Sequence, residues 1–425
     1  MDRGLLQAYA STISLAILPI VMGSFGSLKT SKRSKRLLRE RSPRRSKSKT
    51  DEDPGSDDED EDDEYEGDVD RISFSDAWMF PILGSCMLGG LYLLFKYVDK
   101  IWINWFVGWY FTLAGVVAVF ETSSTVLKWI TPGAVSTRLP EYKIDIAENS
   151  KKFFSATLPL VSLASIPLSL AIPYVYATQQ KPWWANNVLG FSFAHTAIQL
   201  MKLDSFITGA TLLGGLFFYD IFWVFGTEVM VSVAKGLDAP VKLVFPKDPG
   251  MTGAQGYSML GLGDIVIPGI FIALALRYDF SLASRRCLPK PLRASASFPK
   301  PYFLATMVAY VLGLVTTIGV MHTFRAAQPA LLYLSPACVG AVALVALVKG
   351  EFALLWKWGD GDDDAEEVER AKKLKKENQK DVEVESDRES KVEGNEENTE
   401  EKVDLLGSAL SEGLGTEGMR LRSLN

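Results

Sequence analysis

Long apolar stretches alternate with dense blocks of charge along this chain. The first four apolar stretches cover residues 4–28, 78–97, 101–120 and 153–177. Five more cover residues 183–201, 206–231, 257–276, 302–322 and 329–348. About 20 mostly apolar residues are needed to cross a bilayer as a helix. The pattern therefore predicts an all-α polytopic membrane protein with nine transmembrane helices.

Two of these predicted helices contain residues that are unusual inside a membrane span. The fourth contains Pro159, Pro167 and Pro173, which predict a kinked helix. The fifth contains Asn186, Asn187 and His195. We interpret these polar residues as hydrogen-bonding partners between helices, because side chains of this kind commonly join helices inside a membrane.

Charged segments separate the apolar stretches and divide the chain. Residues 29–49 are basic, residues 51–70 are acidic, and the end of the chain is hydrophilic. Segments of this composition bury too little apolar surface to fold, so we predict disorder there. The predicted regions are the N-terminus with the first span (1–28), the charged loop (29–73), spans two to five (74–201), spans six to nine (202–350) and the tail (351–425).

Lysine and arginine are distributed unevenly between the two sides of the predicted membrane. The cluster at residues 29–49 and the basic loop predicted at residues 277–300 fall on the same side. Such clusters stay cytosolic, and the cluster after the first apolar stretch argues against a cleaved signal peptide. We therefore predict a lumenal N-terminus and, across nine spans, a cytosolic C-terminus.

Composition excludes several classes of protein. The 425 residues are 48% hydrophobic and 23% charged, and the net charge of −6 averages one basic block against two acidic ones. Three scattered cysteines do not make a disulfide framework, and two histidines do not favour a histidine-based metal centre. We expect no metal, no cofactor and no nucleic-acid partner.

Two aspartates, Asp220 and Asp264, lie inside neighbouring predicted spans. A carboxylate at that depth costs roughly 2.5–3.5 kcal/mol, so it indicates a functional site. At about 1.5 Å per residue, Asp264 lies roughly 10 Å and Asp220 roughly 16 Å from the span ends that a shared loop connects. Similar depths are therefore allowed, and the two carboxylates are candidates for a pair.

Three functions fit such a pair. In a protease, two carboxylates sharing one proton activate a water and protonate the leaving amine. In a proton- or cation-coupled transporter or leak channel, they bind the transported ion near the midplane. In a structural role, neighbouring polar groups satisfy them. The residues alone leave these alternatives open.

The residues between the two spans predict an extended edge beside Asp264. Residues 241–245 are short, rich in β-branched and aromatic side chains, and followed by Pro246. Residues 256–263 contain three glycines, which disfavour a helix. We expect the two stretches to meet and to accept an unwound substrate as an added strand. The candidate substrate-binding residues are Val241, Leu243 and Phe245.

Three motifs occur in order on the late spans. They are Tyr219-Asp220, Gly261-Leu262-Gly263-Asp264 and Gln328-Pro329-Ala330-Leu331. Together they resemble the motifs of the presenilin and signal peptide peptidase class of intramembrane aspartic proteases. The longer strings at residues 219–227, 242–246 and 261–277 resemble the signal peptide peptidase branch. The close match runs over residues 183–351, whereas the charged loop and the tail match no feature of the family.

This resemblance implies a presenilin-like fold and an intramembrane aspartic endopeptidase. Asp220 and Asp264 would be the catalytic dyad. The residues that would shape the active site are Tyr219, whose hydroxyl can reach the dyad, with Gly261, Leu262, Gly263, Pro329, Ala330 and Leu331.

The resemblance also implies partners and a location. Substrates would be signal-peptide remnants and type II membrane segments, cut within the endoplasmic reticulum membrane. Besides these peptides and the lipid bilayer, a homo-oligomer or the degradation machinery of that compartment is an expected partner. The lysine-based retrieval signal of the family is missing from the C-terminal residues, which leaves the mechanism of retention open. A non-catalytic binder of membrane helices is a further alternative.

The predicted orientation can be tested on sealed microsomes. A protease added outside should digest the loop at residues 29–71 and the tail after residue 359, because both are predicted to be cytosolic. Epitopes in each segment would report the digestion on a blot. Protection of either segment would contradict the nine-span arrangement.

Overall fold

Most of the described chain is helical. The computed structural model describes residues 3–28, 71–131, 141–148, 151–179, 181–237, 239–247, 256–286, 297–324 and 328–360. They belong to one compact unit, Met1–Gly361. Most of the charged loop and nearly all of the tail predicted above lie outside the described residues.

The elements follow one another in a simple order. The first half contains α1 (Arg3–Gly26), β1 (Arg71–Ile72), α2 (Phe74–Tyr97), α3 (Lys100–Ile130), β2 (Glu141–Glu148), β3 (Lys151–Pro159), α4 (Leu160–Leu163), α5 (Ile166–Thr178) and α6 (Trp183–Leu200). The second half contains β4 (Lys202–Leu203), α7 (Phe206–Phe225), α8 (Val229–Gly236), β5 (Lys242–Pro246), β6 (Tyr257–Gly261), α9 (Gly263–Arg286), α10 (Pro301–Phe324), α11 (Leu331–Lys349) and α12 (Phe352–Lys357).

Seven helices in the described part of the chain are long and apolar enough to cross a membrane. They are α1, α2, α3, α7, α9, α10 and α11. Each corresponds to one of the nine predicted spans. Helix α5 is apolar but shorter, and α6 is formed where the fifth span was predicted but is not among the seven. The chain is thus a multi-pass membrane protein.

The fourth predicted span differs from the structure. Its first residues form β3, which pairs antiparallel with β2, instead of a helix. The helical part is divided into α4 and α5, and Pro167 lies in the first turn of α5. Proline is tolerated there because the first-turn N–H groups have no partner within the helix. Pro159 ends β3, Pro167 lies at the start of α5, and Pro173 lies inside α5, so the predicted single helix is interrupted before Pro167.

The expectation of an all-α fold is also too simple. The described residues contain three two-stranded sheets: β1 with β4 in parallel, β2 with β3 antiparallel, and β5 with β6 antiparallel. The sixth predicted span ends early at Phe225, and α8 follows it. Helix α9 continues to Arg286, so Arg277 lies in a helix and not in the predicted basic loop.

Helix α9 lies at the centre of the bundle. It contacts α1, α6, α7, α10 and α11, and most of its apolar segment is buried. Helix α2, by contrast, buries only Ala77. A helix that is apolar on every side is covered either by other helices or by lipid, and α9 is covered by other helices. The core is therefore built around the helix that begins at Gly263-Asp264.

Helices α1 and α6 approach each other closely at Gly23. A Cβ atom built on Gly23 would lie 2.9 Å from Cβ of Ile198 and 3.0 Å from the backbone oxygen of His195. Both neighbours are rigid parts of α6. Small residues permit this kind of close helix contact in membranes. Gly23 is thus required by packing.

Replacing Gly23 with alanine should loosen this contact. The added methyl group has no room, and overpacking of this kind costs about 1–3 kcal/mol. Gly340→Ala on α11 is the matched control, because nothing lies within 4 Å of a Cβ there. The melting temperature in detergent should fall for Gly23→Ala and stay level or rise for Gly340→Ala. Equal melting temperatures for the two variants would contradict the packing argument.

Candidate active site

Asp220 lies on α7 and is buried, with 6% of its surface exposed. Its Oδ2 atom accepts a hydrogen bond of 3.1 Å from the backbone N–H of Leu331. Leu331 is the first residue of α11, where backbone N–H groups have no partner within the helix. The positive end of the α11 dipole also favours a carboxylate at this place. Helix α11 therefore fixes the Asp220 side chain.

The Pro329-Ala330-Leu331 motif explains this geometry. Pro329, Ala330 and Leu331 are all buried, and α11 starts directly after Ala330. Proline just before a helix places the chain in a conformation that leads into it. The motif thus supplies the N–H group that reaches Asp220, in addition to the packing role inferred from the sequence.

Asp264 is the second residue of α9, on the next membrane helix. The backbone oxygen of Leu262 accepts the first two hydrogen bonds of the helix, from Ile265 at 3.1 Å and Val266 at 2.8 Å. The Asp264 side chain is half-buried. The hydroxyl of Tyr310 on α10 donates to the backbone oxygen of Asp264 at 3.4 Å. The carboxylate is thus placed at a helix start that is held from two sides.

Glycine at position 261 leaves room for the Asp264 carboxylate. A Cβ atom at Gly261 would lie 3.3 Å from Asp264 Oδ2. That distance is shorter than ordinary van der Waals contact, so a larger residue would press on the carboxylate. Gly263 has no such neighbour, since its Cβ would meet only Ile267 at 4.0 Å. Gly261 therefore has a local steric role beside the acid.

The two carboxylates belong to one site. Helices α7 and α9 are in contact, and the Asp220 carboxylate is close enough to that of Asp264 for the two charges to interact. Within the described part of the chain, no group of three or more His, Cys, Asp or Glu side chains could hold a metal ion.

Tyr219 points mainly toward α2. Its ring lies 3.4 Å from the position a Cβ atom would take at Gly84, and it packs against Trp223. The Trp223 indole N–H donates to the Ser85 hydroxyl at 3.1 Å, again on α2. Tyr219 is half-buried, and its hydroxyl interacts electrostatically with Asp220. Its position joins α2 to the helix that carries Asp220.

Strands β5 and β6 form the hairpin that the sequence predicted between the two aspartates. Leu243 pairs with Leu260, and Phe245 pairs with Ser258. The ladder continues where Leu262 N–H donates to Val241 O at 3.0 Å. The expected meeting of the two stretches is therefore confirmed. The strand β6 ends just before Leu262-Gly263-Asp264, so the hairpin leads directly to the carboxylate.

The outer edge of β5 is occupied by α6. Asn186 Nδ2 donates to Lys242 O at 2.7 Å, and Asn187 Nδ2 donates to Val244 O at 2.7 Å. Val244 N–H donates in return to Asn187 Oδ1 at 2.9 Å. Both asparagines had been interpreted as helix–helix contacts. They instead hydrogen-bond the outer edge of β5. The only sign of this in the sequence is that the two asparagines are adjacent near the start of α6.

This arrangement changes the expectation for Val241, Leu243 and Phe245. Alternate residues of a strand direct their backbone groups to opposite edges, so these three face β6. The Leu243 side chain is only 1% exposed, and the Phe245 ring packs on Trp183 at 5.7 Å. These residues anchor the hairpin. An incoming strand would find no free backbone groups on them.

The free edge of the hairpin belongs to β6. The same alternation directs the backbone groups of Tyr257, Met259 and Gly261 away from β5. Among the hydrogen bonds of the described residues, none uses these groups. The Met259 side chain is 60% exposed. The open edge therefore lies on the strand that leads into Asp264.

Comparison with known proteins agrees with this site. The family model described as "Signal peptide peptidase" matches residues 64–362. The signal peptide peptidase of Mus musculus is 38% identical over 375 residues, which covers 86% of this chain and 87% of that protein. The human signal peptide peptidase is 37% identical over 366 residues, covering 85% of each. Intramembrane protease 2 of Caenorhabditis elegans is 48% identical over 202 residues, covering 46% of this chain and 43% of that protein.

The family model matches well over half of the chain, and the first two relatives match it along most of their own length. The matched region contains α7, α9 and α11, which bring Asp220, Asp264 and Leu331 together. A transporter or leak channel finds no support among these relatives. The chain belongs to the signal peptide peptidase family of intramembrane proteases.

Proposed function

We propose that Asp220 and Asp264 are the catalytic dyad with which this intramembrane protease hydrolyses peptide bonds. The observation that carries the proposal is the contact between α7 and α9, which carry the two acids, with Asp220 held by the Leu331 N–H at 3.1 Å. Charged groups inside a membrane are rare and mark functional sites.

The hydrogen bond from Leu331 suggests how the two acids divide their work. An N–H group that donates to a carboxylate stabilises its negative charge. We therefore assign Asp220 as the ionised partner that takes a proton from the attacking water. Asp264, holding the other proton, donates a hydrogen bond to the scissile carbonyl, and a proton then passes to the leaving amine. The bond between the carbonyl carbon and the amide nitrogen breaks as Asp220 passes its proton to the nitrogen and a hydroxyl of the tetrahedral intermediate returns a proton to Asp264. Asp220 is then ionised again and Asp264 protonated again.

The names of the relatives suggest the substrates. Several are signal peptide peptidases, so we propose signal-peptide remnants and type II membrane segments as substrates of this chain. We further propose the endoplasmic reticulum membrane as its location. There the seven long helices, together with α5 and α6, would make nine spans with a lumenal N-terminus and a cytosolic C-terminus. A homo-oligomer or the degradation machinery stays an expected partner.

Substrate presentation follows from the open edge of β6. A peptide bond inside a helix is shielded, because its carbonyl is hydrogen-bonded and surrounded by side chains. A segment that unwinds loses those hydrogen bonds in an apolar medium. The outward backbone groups of Tyr257, Met259 and Gly261 can replace them by strand addition. Because β6 leads into Asp264, the added strand would lie next to the carboxylates.

Removing either acid should abolish cleavage. In Asp220→Asn and Asp264→Asn the amide can neither take nor deliver the proton, so the rate should fall at least about a hundredfold. The measurement is cleavage of a synthetic signal peptide by purified enzyme, followed by mass spectrometry. Glu228→Gln is the matched control, since Glu228 is exposed beyond the end of α7. Substantial activity in either aspartate variant would disprove the dyad.

A further test addresses the open edge. Met259→Pro removes the outward N–H of β6 but leaves the bonds to β5 in place, so kcat/KM should fall about fivefold to tenfold. Met259→Ala keeps the N–H and should behave nearly as the wild type. Val244→Pro is less informative, because the Val244 N–H is bonded to Asn187. Equal kcat/KM for the proline and alanine variants at position 259 would rule out strand addition here.

A further inference from the structure

Residues 358–360 connect α7 and α9 at the helix ends far from the dyad. Trp358 packs on Phe206, the first residue of α7, with ring centroids 5.8 Å apart. The same indole packs on Tyr278 of α9 at 5.0 Å. Phe206 and Tyr278 also contact each other at 5.4 Å. We call residues 358–360 the clasp, because they contact both dyad helices at once.

Polar bonds tie the clasp to each helix. On the α7 side, Gly359 forms an antiparallel bridge with Ser205, and the Asp360 N–H donates to the backbone oxygen of Asp204. On the α9 side, Arg277 Nε lies 3.2 Å from Asp360 Oδ2. The Trp358 indole N–H donates to the Ser281 hydroxyl at 3.3 Å. The clasp is therefore bonded to the start of α7 and to the last turns of α9.

The pair of Arg277 and Asp360 is buried. The Arg277 side chain is 6% exposed and that of Asp360 is 15% exposed. Arg71 contributes a second, longer contact to Asp360 at 3.8 Å. Among the described residues, the Nε, Nη1 and Nη2 atoms of Arg277 make no hydrogen bond, so its contact with Asp360 is an ion pair. Asp360 is thus the counter-charge on which a buried guanidinium depends, and such a pair strongly resists separation.

The clasp lies at nearly equal distances from the two catalytic carboxylates. At 1.5 Å per residue, Ser205 is about 22 Å from Asp220 along α7. By the same rise, Arg277 is about 20 Å from Asp264 along α9. A helix that tilts by about 3° moves a group at that distance by about 1 Å. A displacement of this size at the reacting groups can cost about a hundredfold in rate.

We propose that the clasp is a positioning element for the dyad, with Arg277 and Asp360 as positioning residues. It rests on the proposed catalytic role of Asp220 and Asp264. By fixing the remote ends of α7 and α9 together, the clasp sets the separation of the two carboxylates. Neither Arg277 nor Asp360 touches the substrate, so the proposal concerns the rate of the chemical step and leaves substrate binding unchanged.

A second arginine on α9 provides a contrast. Arg286 Nη2 lies 3.4 Å from Glu351 Oε1, and its side chain is 63% exposed. Glu351 also accepts a hydrogen bond from the Tyr302 hydroxyl at 2.9 Å. These contacts join α9 and α10 to the residue before α12 and do not reach α7. Exposed pairs of this kind contribute little to stability.

The first experiment compares Arg277→Met with Arg286→Met in the purified full-length enzyme. Arg277→Met should lower kcat about tenfold to a hundredfold at unchanged KM, because the carboxylates lose their alignment while β6 is untouched. Arg286→Met should keep the wild-type kcat. Asp360→Asn should be more harmful to thermal stability than Arg277→Met, because it leaves a buried arginine without its counter-charge. An unchanged kcat in Arg277→Met would overturn the proposal.

A disulfide separates positioning from simple destabilisation. Ser205 and Gly359 are cross-strand partners, and such pairs have Cα atoms about 4.5–5.5 Å apart, within the range of a disulfide. Ser205→Cys with Gly359→Cys is added to Arg277→Met in a background with Cys86→Ser and Cys287→Ser. Oxidation should restore kcat at least severalfold, and reduction of the same sample should remove the gain. Equal kcat in the oxidised and reduced samples would overturn the proposal.

The two proposals fail in different ways. If Asp220→Asn and Asp264→Asn remain active, the dyad is wrong, whatever Arg277→Met does. If both aspartate variants are inactive and Arg277→Met keeps its full kcat, the dyad stands and the clasp does not position it. A loss of kcat that oxidation restores, with both aspartate variants inactive, supports both.

Discussion

The hydrogen bond from the Leu331 N–H to Asp220 is the interaction on which the site depends. A carboxylate in an apolar medium needs a donor, and the first turn of a helix has N–H groups without partners. Placing the start of α11 beside α7 meets both needs with one contact. It also determines where a break in the chain must occur, since α11 has to begin at the depth of the carboxylate. The positions of α7 and α11 are therefore set by the need of one buried carboxylate for a hydrogen-bond donor.

The backbone N–H and C=O groups of the β5–β6 hairpin need hydrogen-bond partners for the same reason. Non-helical backbone at membrane depth is tolerated only where its polar groups find partners. The inner edges of the two strands satisfy each other, and Asn186 and Asn187 satisfy the outer edge of β5. Of these two strands, only β6 keeps an edge without hydrogen-bond partners among the described residues. An edge of this kind is costly in lipid, which is why we propose that the substrate peptide covers it during the reaction.

Apolar length and buried charge were enough to predict much of this structure. Seven of the predicted spans are long apolar helices, and the helices that carry Asp220 and Asp264 are in contact. The seventh span was predicted to begin at residue 257, but residues 257–261 form β6, so Asp264 lies at the start of its helix. Local patterns were less informative where a tertiary partner decides the outcome. The first residues of the fourth predicted span form a strand because residues 151–159 pair with β2. Arg277 was assigned to a loop because its partner, Asp360, is far away in the sequence and no periodicity reveals that pairing. The role of Asn187 was hidden for the same reason.

The burial of α9 limits which residues can be substituted when the substrate preference of such a protease changes. Residues on every side of this helix are packed, from Ile265 to Ala283. A change of side-chain volume there would be resisted by five neighbouring helices. Side chains near the site that can vary freely are found instead on exposed surfaces, such as Met259 of β6 and the thinly packed α2. Selection for a new substrate would therefore act on those surfaces, while the helix that carries Asp264 stays the same.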